Sequence, residues 1–162
     1  MGQPIGVFIT VSSYGSRLHG DTRGTVDAEH NRYGTPLLPP SSARQAYRAR
    51  QLKFAPLTFD AAMRRVIRFT VEEVCRHRQW NLLAVNVRTN HLHAVVITNS
   101  NASSVLKDLI AWCTRRLREA GLVGDRPVWT DQGSTRKLFD ADDVGGAVDY
   151  VKNRQGLDLP EE

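Results

Sequence analysis

The sequence predicts an α+β sandwich, in which helices cover one face of a mostly antiparallel sheet. Short β-branched runs alternate with segments of helical periodicity, and two of these runs lie close enough to form a hairpin. The length of 162 residues corresponds to about one domain. We therefore expect one domain over residues 1–162, with a long irregular insertion at about 12–56.

The first half of the chain predicts one strand, one long helix and a hairpin. Residues 7–11 are β-branched or aromatic and predict the first strand. The glycine- and proline-rich insertion follows, with room for a short helix at 42–51. Apolar residues then recur at helical spacing from 58 to 80, with Thr58 as the expected N-cap. Residues 82–87 and 92–97 predict two strands around a short turn.

The second half predicts two more helices and a fourth strand. A helical pattern runs from 102 to 120 and stops at Gly121. Residues 128–130 and 137–139 flank a polar segment and predict either a hairpin or one bulged strand. The last helix is expected to begin at Asp142 or Asp143 and to end at Gly156. This order of elements is typical of an α+β sandwich.

The charge balance favours a partner that carries phosphate. The chain has 22 Lys+Arg against 17 Asp+Glu and a net charge of +5. Most of the cations are Arg, whose guanidinium binds phosphate oxygens in a bidentate way. In the insertion they interleave with tyrosines, as on single-strand binding surfaces, although a solvated loop is the alternative. The predicted nucleic-acid contacts are Arg17, Arg23, Arg48, Arg115, Arg116 and Arg118.

Cysteine usage and hydropathy predict a cytoplasmic protein. Cys75 and Cys113 form neither a CxxC motif nor a disulfide framework, which favours a reducing compartment. No apolar run approaches the ~18 residues of a membrane span. The first residues also lack the charged and apolar regions of a signal peptide.

Two features carry chemistry, a His-Leu-His run and a tyrosine on the last helix. Alternate strand residues point to the same side, so His91 and His93 should project together while Leu92 enters the core. Two such imidazoles can ligate one divalent metal; the alternative is a solvent-side pair without a ligand. Tyr150 lies at the border of the apolar stripe, where its hydroxyl can reach outward. The alternative for Tyr150 is a boundary core aromatic.

Residues 87–96, with Asn90-His91-Leu92-His93, are followed by a basic helix and then by Tyr150-Val151-Lys152-Asn153. This combination resembles the single-tyrosine HUH transposases, which are the insertion-sequence and REP-associated tyrosine transposases of bacteria. The strand and glycine-rich opening at 9–24 is similar too, so the resemblance spans about 7–156.

The resemblance implies a ferredoxin-like core and a metal-dependent endonuclease and strand transferase for single-stranded or hairpin DNA. His91 and His93 match the histidines that hold Mg²⁺ or Mn²⁺ in the family. Tyr150 matches the nucleophile, which forms a 5′-phosphotyrosine that a free 3′-hydroxyl can later attack. Because the phosphotyrosine keeps the energy of the broken phosphodiester bond, the resemblance implies strand transfer, as in DNA transposition, rather than hydrolysis.

The chain departs from the family at the third metal ligand. Relatives often carry a polar ligand one turn after the tyrosine, where this chain has Arg154. Asn153 and Gln155 are the available carbonyls, and the longer Gln155 is favoured if the helix loosens near Gly156. The glycines at 145–146 are either a hinge or a frayed helix start. In relatives a partner subunit can hold the tyrosine helix, which allows a homodimer.

Two other functions stay open. A domesticated relative would nick repeated hairpin sequences without moving an element, and the residues fit both versions equally. A non-catalytic single-strand-binding module would need stacking aromatics on its central strands. The third strand instead presents His91 and His93, which disfavours that module.

Overall fold

The structure, a computed structural model, describes residues 2–16, 41–130, 133–157 and 159. The elements are β1 (Gly6–Ser12), α1 (Ser42–Arg50), α2 (Ala61–His77), β2 (Asn81–Val87), β3 (His91–Ile97), α3 (Ala102–Glu119), β4 (Ser134–Leu138) and α4 (Ala141–Asn153). The strands form one sheet in the order β2-β3-β1-β4, and all neighbours are antiparallel. Without α1 and α4 this is the βαββαβ arrangement of ferredoxin-like folds. The predicted α+β class is confirmed.

Both faces of the sheet carry apolar residues, and each has its own helical cover. β1 directs Val7, Ile9 and Val11 to the larger core, which α2 and α3 close. It directs Phe8 to a smaller cluster, in which Val95 and Leu138 pack against α4. The expectation of helices on one face therefore holds for α2 and α3, whereas α4 covers the other face. The reason is that this second face would otherwise leave its own apolar residues exposed.

Two helices have an N-cap residue that differs from the predicted one, and in both cases the N-cap is an aspartate. Asp60, not Thr58, caps α2 by accepting a bond of 2.9 Å from the N–H of Met63. The helix cannot start earlier, because the N–H of Phe59 donates to the carbonyl of Thr89. Asp140 caps α4 by accepting from the N–H of Asp143 at 2.8 Å. Its carboxylate reaches the orphan N–H groups of the first turn, which is the role of an N-cap.

The sequence allowed either a hairpin or one bulged strand at this point, and the structure shows the bulged strand. Residues 134–138 pair with residues 6–10 of β1. Beyond that point Thr130 donates to the carbonyl of Ser12 at 3.0 Å, and Trp129 forms an isolated bridge with Ser13. Both segments thus follow the same edge of β1 with a change of register between them.

The predicted insertion at 12–56 is described at its two ends. The ends are held together, because Leu57 donates to the carbonyl of Tyr14 at 2.8 Å and accepts from the hydroxyl of Ser13 at 2.6 Å. Arg17 and Arg23 lie outside the described residues, and Arg48 lies on α1 with a side chain that is not described. Across the described ranges, no helix has the length and apolar content that crossing a membrane requires.

Candidate functional site

The two histidines of β3 lie side by side on the sheet face that α4 covers. Leu92, between them, is fully buried in the larger core on the opposite face. The ring centroids of His91 and His93 are 4.6 Å apart, with an angle of 67° between the ring planes. This placement is what strand alternation dictates. It brings two imidazoles close enough to act on one ligand.

His93 is buried and held in a fixed orientation. Only 5% of the residue is exposed, so the alternative of a solvent-side pair does not hold for this histidine. Its Nδ1 lies 2.9 Å from the hydroxyl of Thr10, its register partner on β1. The ring of Phe8 lies at 5.6 Å between centroids. The cover comes from α4, which the sequence pattern alone did not place on this face.

His91 contacts two amide side chains. Its Nδ1 lies 2.7 Å from Oδ1 of Asn90, and its Nε2 lies 3.2 Å from Oε1 of Gln155. Gln155 is itself oriented, because its amide nitrogen donates to the backbone carbonyl of Tyr150 at 3.1 Å. The chain leaves α4 after Asn153, with Arg154 at φ −121° as the C-cap. Gln155 therefore turns towards His91 instead of pointing away from Tyr150 as on an ideal helix.

The other residues at the end of α4 point elsewhere. Asn153 and Arg154 both donate to the carboxylate of Asp149, at 2.9 Å and 3.0 Å. The hydrogen bond from Asn153, followed by that from Arg154, lowers the pKa of Asp149. Of the two carbonyl side chains weighed as a third ligand, the structure brings Gln155 to His91 and turns Asn153 towards Asp149.

Tyr150 stands next to the histidine pair. Its ring meets those of His93 and Phe8 edge-on, at centroid distances of 5.5 Å and 5.8 Å. The residue is 41% exposed. Next to Tyr150, the side chain of Val151 is buried and holds α4 on the sheet. The backbone carbonyl of Val151 also accepts a hydrogen bond of 3.0 Å from the side chain of Asn86. Tyr150 thus combines a supported ring with access from solvent.

Strand β4 adds polar side chains to the same face, which sequence reasoning missed. Ser134 pairs with Thr10, and Arg136 pairs with Phe8, so both project towards the face of the histidines. The hydroxyl of Ser134 is buried without a hydrogen-bond partner among the described residues. The missing signal was the pairing register, because periodicity within β4 does not show which β1 residue lies opposite.

Two imidazoles and an amide oxygen meet at this site, and these are donor types that bind divalent cations. No group of three or more His, Cys, Asp or Glu gathers in the described parts of the chain. The nitrogen and oxygen atoms that meet at this site come from His91, His93 and the Gln155 carbonyl. When Nδ1–H of His91 donates to Asn90, the Nε2 lone pair and Oε1 of Gln155 face the same space, 3.2 Å apart. Two ligands at right angles on an ion such as Mg²⁺ are about 3.0 Å apart, given bonds of about 2.1 Å.

The arginines predicted on α3 lie away from this site. α3 packs on the opposite face of the sheet. Arg116 pairs with Glu73 at 2.8 Å and with Glu119 at 3.1 Å, and these bonds raise its pKa. Arg115 stacks over Trp112 at 4.9 Å, and Arg118 donates to the carbonyl of Gly124 at 3.1 Å. The structure therefore does not bring these three cations together with the histidines.

No protein-family model matches the chain, and no curated protein matches it. Among solved structures, the fold is similar to a chain described as "Structure of the REP associates tyrosine transposase bound to a REP hairpin". The identity is 15% and the TM-score 0.47, over 91% of this chain and 65% of that chain. The protein thus spans less than two thirds of the length of that chain. A likeness this distant assigns no function to this chain.

Proposed function

We propose that the protein is a metal-dependent single-stranded DNA endonuclease and strand transferase of the single-tyrosine HUH type. The observation that supports this most directly is the position of Tyr150, whose ring centroid lies 5.5 Å from that of His93, with His91 alongside. A hydroxyl that can act as nucleophile, beside two same-face imidazoles and a carbonyl that can bind a metal ion, can support phosphodiester transfer. The proposed partner is single-stranded or hairpin DNA.

In the proposed reaction the hydroxyl oxygen of Tyr150 attacks the scissile phosphorus and loses its proton. A bond forms between this oxygen and phosphorus, and the bond from phosphorus to the 3′-oxygen breaks. The 3′-oxygen takes up a proton and leaves as a free hydroxyl, while the 5′ side stays attached as a phosphotyrosine. A 3′-hydroxyl can later attack that phosphotyrosine, which restores Tyr150 and rejoins DNA without another energy source.

His91, His93 and Gln155 would hold Mg²⁺ or Mn²⁺ in this proposal. When bound, the ion neutralises charge on the scissile phosphate and stabilises the leaving oxygen. Thr10 and Asn90 contact the Nδ1 atoms of His93 and His91, so they orient the two rings and favour Nε2 as the ligating atom. The chain supplies this orientation before any substrate arrives.

Arg136 is the proposed partner for the phosphate itself. It projects from β4 towards the face that carries the histidines, opposite Phe8, whose ring contacts Tyr150. A guanidinium placed there would stabilise negative charge that develops on the phosphate oxygens as Tyr150 attacks. This proposed role of Arg136 rests on its register opposite Phe8 and on its positive charge.

The experiment is a covalent-adduct assay. Labelled single-stranded DNA with a hairpin is incubated with the protein and Mn²⁺, and the products are separated on a denaturing gel. We expect an adduct with the wild type and none with Tyr150→Phe, which keeps the ring and removes the hydroxyl. Tyr47→Phe is the matched control, since Tyr47 is exposed on α1. An undiminished adduct in Tyr150→Phe would contradict the proposal.

A mobile-element transposase and a domesticated nicking protein would share this chemistry, and both fall within the proposal. Joining a second labelled 3′-end to the adduct distinguishes strand transfer from nicking alone. A cytoplasmic setting and a homodimer are further parts of the proposal. The two cysteines support the first, because both are free and buried.

A further inference from the structure

The end of β2 directs two polar side chains towards α4, from Asn86 and from Arg88 one residue beyond the strand. They alternate with Val87, which is buried in the larger core on the other side of the sheet. Both therefore project to the face that carries the histidines. Asn86 lies opposite His93 in the strand register, and the N–H of Arg88 donates to the carbonyl of His91 at 2.8 Å. Each of the two side chains thus starts from a backbone position beside one histidine.

Asn86 holds the last turn of α4. Its amide nitrogen donates to the backbone carbonyl of Val151 at 3.0 Å. The helix ends at Asn153, and carbonyls in the last turn of a helix lack the usual N–H partner four residues later. The bond therefore provides a partner that the helix itself does not supply. It also fixes the backbone one residue after Tyr150, whose ring contacts that of His93.

Arg88 holds the segment that follows α4. Its guanidinium donates to the backbone carbonyl of Leu157 at 2.9 Å. The chain turns just before this bond at Gly156, whose φ of +86° lies in the left-handed region, and a Cβ there would lie 3.8 Å from the same guanidinium. The side chain of Leu157 is 89% exposed, so its packing does little to hold the segment. The bond from Arg88 therefore restrains the residues just before it, which include Gln155.

We propose that Asn86 and Arg88 form a clamp that holds the end of α4 at the histidine pair. The clamp positions Tyr150 as the nucleophile and Gln155 as the third ligand, and these two roles rest on the function proposed above. Both clamp residues act on backbone carbonyls, so they are positioning residues that touch neither metal nor DNA. An ideal helix would place position 155 about 140° from Tyr150. The distance of 3.2 Å from Gln155 to His91 therefore requires a backbone that is held in place.

The two clamp residues act at different places, which predicts different effects. The bond from Asn86 lies next to Tyr150 in the sequence, so its loss should displace the attacking hydroxyl. A displacement of about 1 Å can slow a reaction about 100-fold. The bond from Arg88 lies two residues after Gln155, so its loss should move this carbonyl away from the proposed metal site. Loss of contacts that orient a ligand changes metal affinity about 10- to 100-fold.

The first test measures hydrogen exchange of the full chain by mass spectrometry, without metal or DNA. The clamp variant is Asn86→Leu with Arg88→Met, which keeps the approximate size of both side chains and removes their donors. We expect peptides that cover 150–157 to exchange at least about tenfold faster in this variant. Arg78→Met with Asn81→Leu is the matched control. Arg78 pairs with an aspartate of α3, and Asn81 lies at the opposite end of β2, so the control should exchange like the wild type over 150–157.

The second test separates positioning from a general loss of stability. Mn²⁺ binding to the chain without DNA is followed by electron paramagnetic resonance. We expect Arg88→Met to bind Mn²⁺ about tenfold more weakly, but to have less than about a twofold effect when Gln155→Ala is already present. Asn86→Leu should keep the Mn²⁺ affinity within about threefold and slow single-turnover adduct formation at saturating Mn²⁺ about tenfold or more. Arg88→Lys keeps a cationic donor and should restore most of the Mn²⁺ affinity.

Failure of the clamp and failure of the catalytic proposal give different results. Exchange at the wild-type rate in the clamp variant would overturn the clamp, as would an equal effect of Arg88→Met with and without Gln155→Ala. If exchange and Mn²⁺ coupling are as expected but the wild type forms no adduct, the catalytic proposal is wrong and the clamp stands. If the wild type binds no Mn²⁺, the role of Gln155 as a ligand is wrong, and the exchange result alone decides whether the clamp holds α4.

Discussion

Gln155 reaches His91 because the helix ends two residues before it. The C-cap at Arg154 redirects the backbone, and the amide of Gln155 then bonds to the carbonyl of Tyr150. Ideal helix geometry places position 155 about 140° from Tyr150. The sequence therefore named Gln155 as a candidate through its length and the nearby Gly156, while the contact itself depends on where the helix ends.

Gln155→Ala should raise the Mn²⁺ concentration needed for half-maximal nicking by about tenfold or more, because it removes one carbonyl from the proposed metal-binding set. Asn153→Ala is the control, since Asn153 bonds to Asp149 instead. Nicking measured across a Mn²⁺ titration checks both. Equal half-maximal concentrations in the wild type and Gln155→Ala would remove Gln155 from the site.

Arg136→Gln should slow adduct formation roughly 10- to 100-fold, because it removes the charge that we propose stabilises the phosphate oxygens. Lys137→Gln is the matched control: Lys137 is exposed and pairs with Val7, which faces the other side of the sheet. Single-turnover rates at saturating DNA measure the difference. Similar losses in the two variants would indicate that general charge, not the position of Arg136, is responsible.

At the scale of single residues, the sequence identified those with distinctive chemistry and missed their neighbours. His91, His93 and Tyr150 could be named from residue type, alternation and resemblance. Thr10 contacts His93, and Ser134 and Arg136 join the same face, only through cross-strand pairing. A register of pairing is a property of two strands, so neither strand shows it alone.

α4 carries Tyr150, the proposed nucleophile, and it packs on the sheet face opposite α2 and α3, so the prediction of helices on one face is wrong for this helix. The apolar stripe of Ala147 and Val151 predicted a helix that packs on the sheet. Such a stripe fits either sheet face, because both faces carry apolar residues. By contrast, both strands of the β2–β3 hairpin were predicted within one residue at each end, because the turn and the alternation are local signals.

Gly145→Ala should stabilise the protein by about 0.5–1 kcal/mol, because alanine restricts the unfolded chain and suits a helix better. The added Cβ meets nothing within 4 Å, so no clash opposes the gain. Urea unfolding measures the change. If the glycines act as a hinge, the same variant should also lower strand transfer relative to cleavage. Unchanged transfer with increased stability would favour the frayed-start interpretation.

The two buried thiols make the free energy of unfolding depend on pH in the alkaline range. Burial raises the pKa of Cys75 from its ordinary 9.0 to about 11, and burial followed by the nearby Cys75 also raises that of Cys113. An acid whose folded pKa is raised stabilises the fold fully below its unfolded pKa. That contribution is lost as pH rises from about 9 towards 11, because only the unfolded state ionises readily.

Urea unfolding between pH 8 and pH 11 checks this expectation. The contribution of Cys75 should fall by about 2 kcal/mol across this range. Cys75→Ala should show a correspondingly weaker pH dependence, whatever its stability at pH 8. Parallel pH profiles for the variant and the wild type would show that other groups cause the alkaline loss.

The charge of the whole molecule predicted a phosphate-bearing partner without locating it. A net charge of +5 belongs to composition, whereas the cations that line one cavity of about 440 Å³ come from α2, from Arg88 just after β2, and from α4. Residues that are up to 88 positions apart, from Arg64 to Lys152, meet only after the sheet edge forms. Long-range placement of this kind depends on the fold, so residue spacing along the chain does not reveal it.

The most direct test of the account is to identify the residue that carries DNA after the reaction. Wild-type protein is incubated with Mn²⁺ and hairpin-bearing single-stranded DNA, the adduct is digested with protease and nuclease, and the peptides are analysed by mass spectrometry. The account predicts a nucleotide joined through its 5′-phosphate to Tyr150. Attachment to Tyr14 or Tyr47, or linkage through a 3′-phosphate, would contradict it.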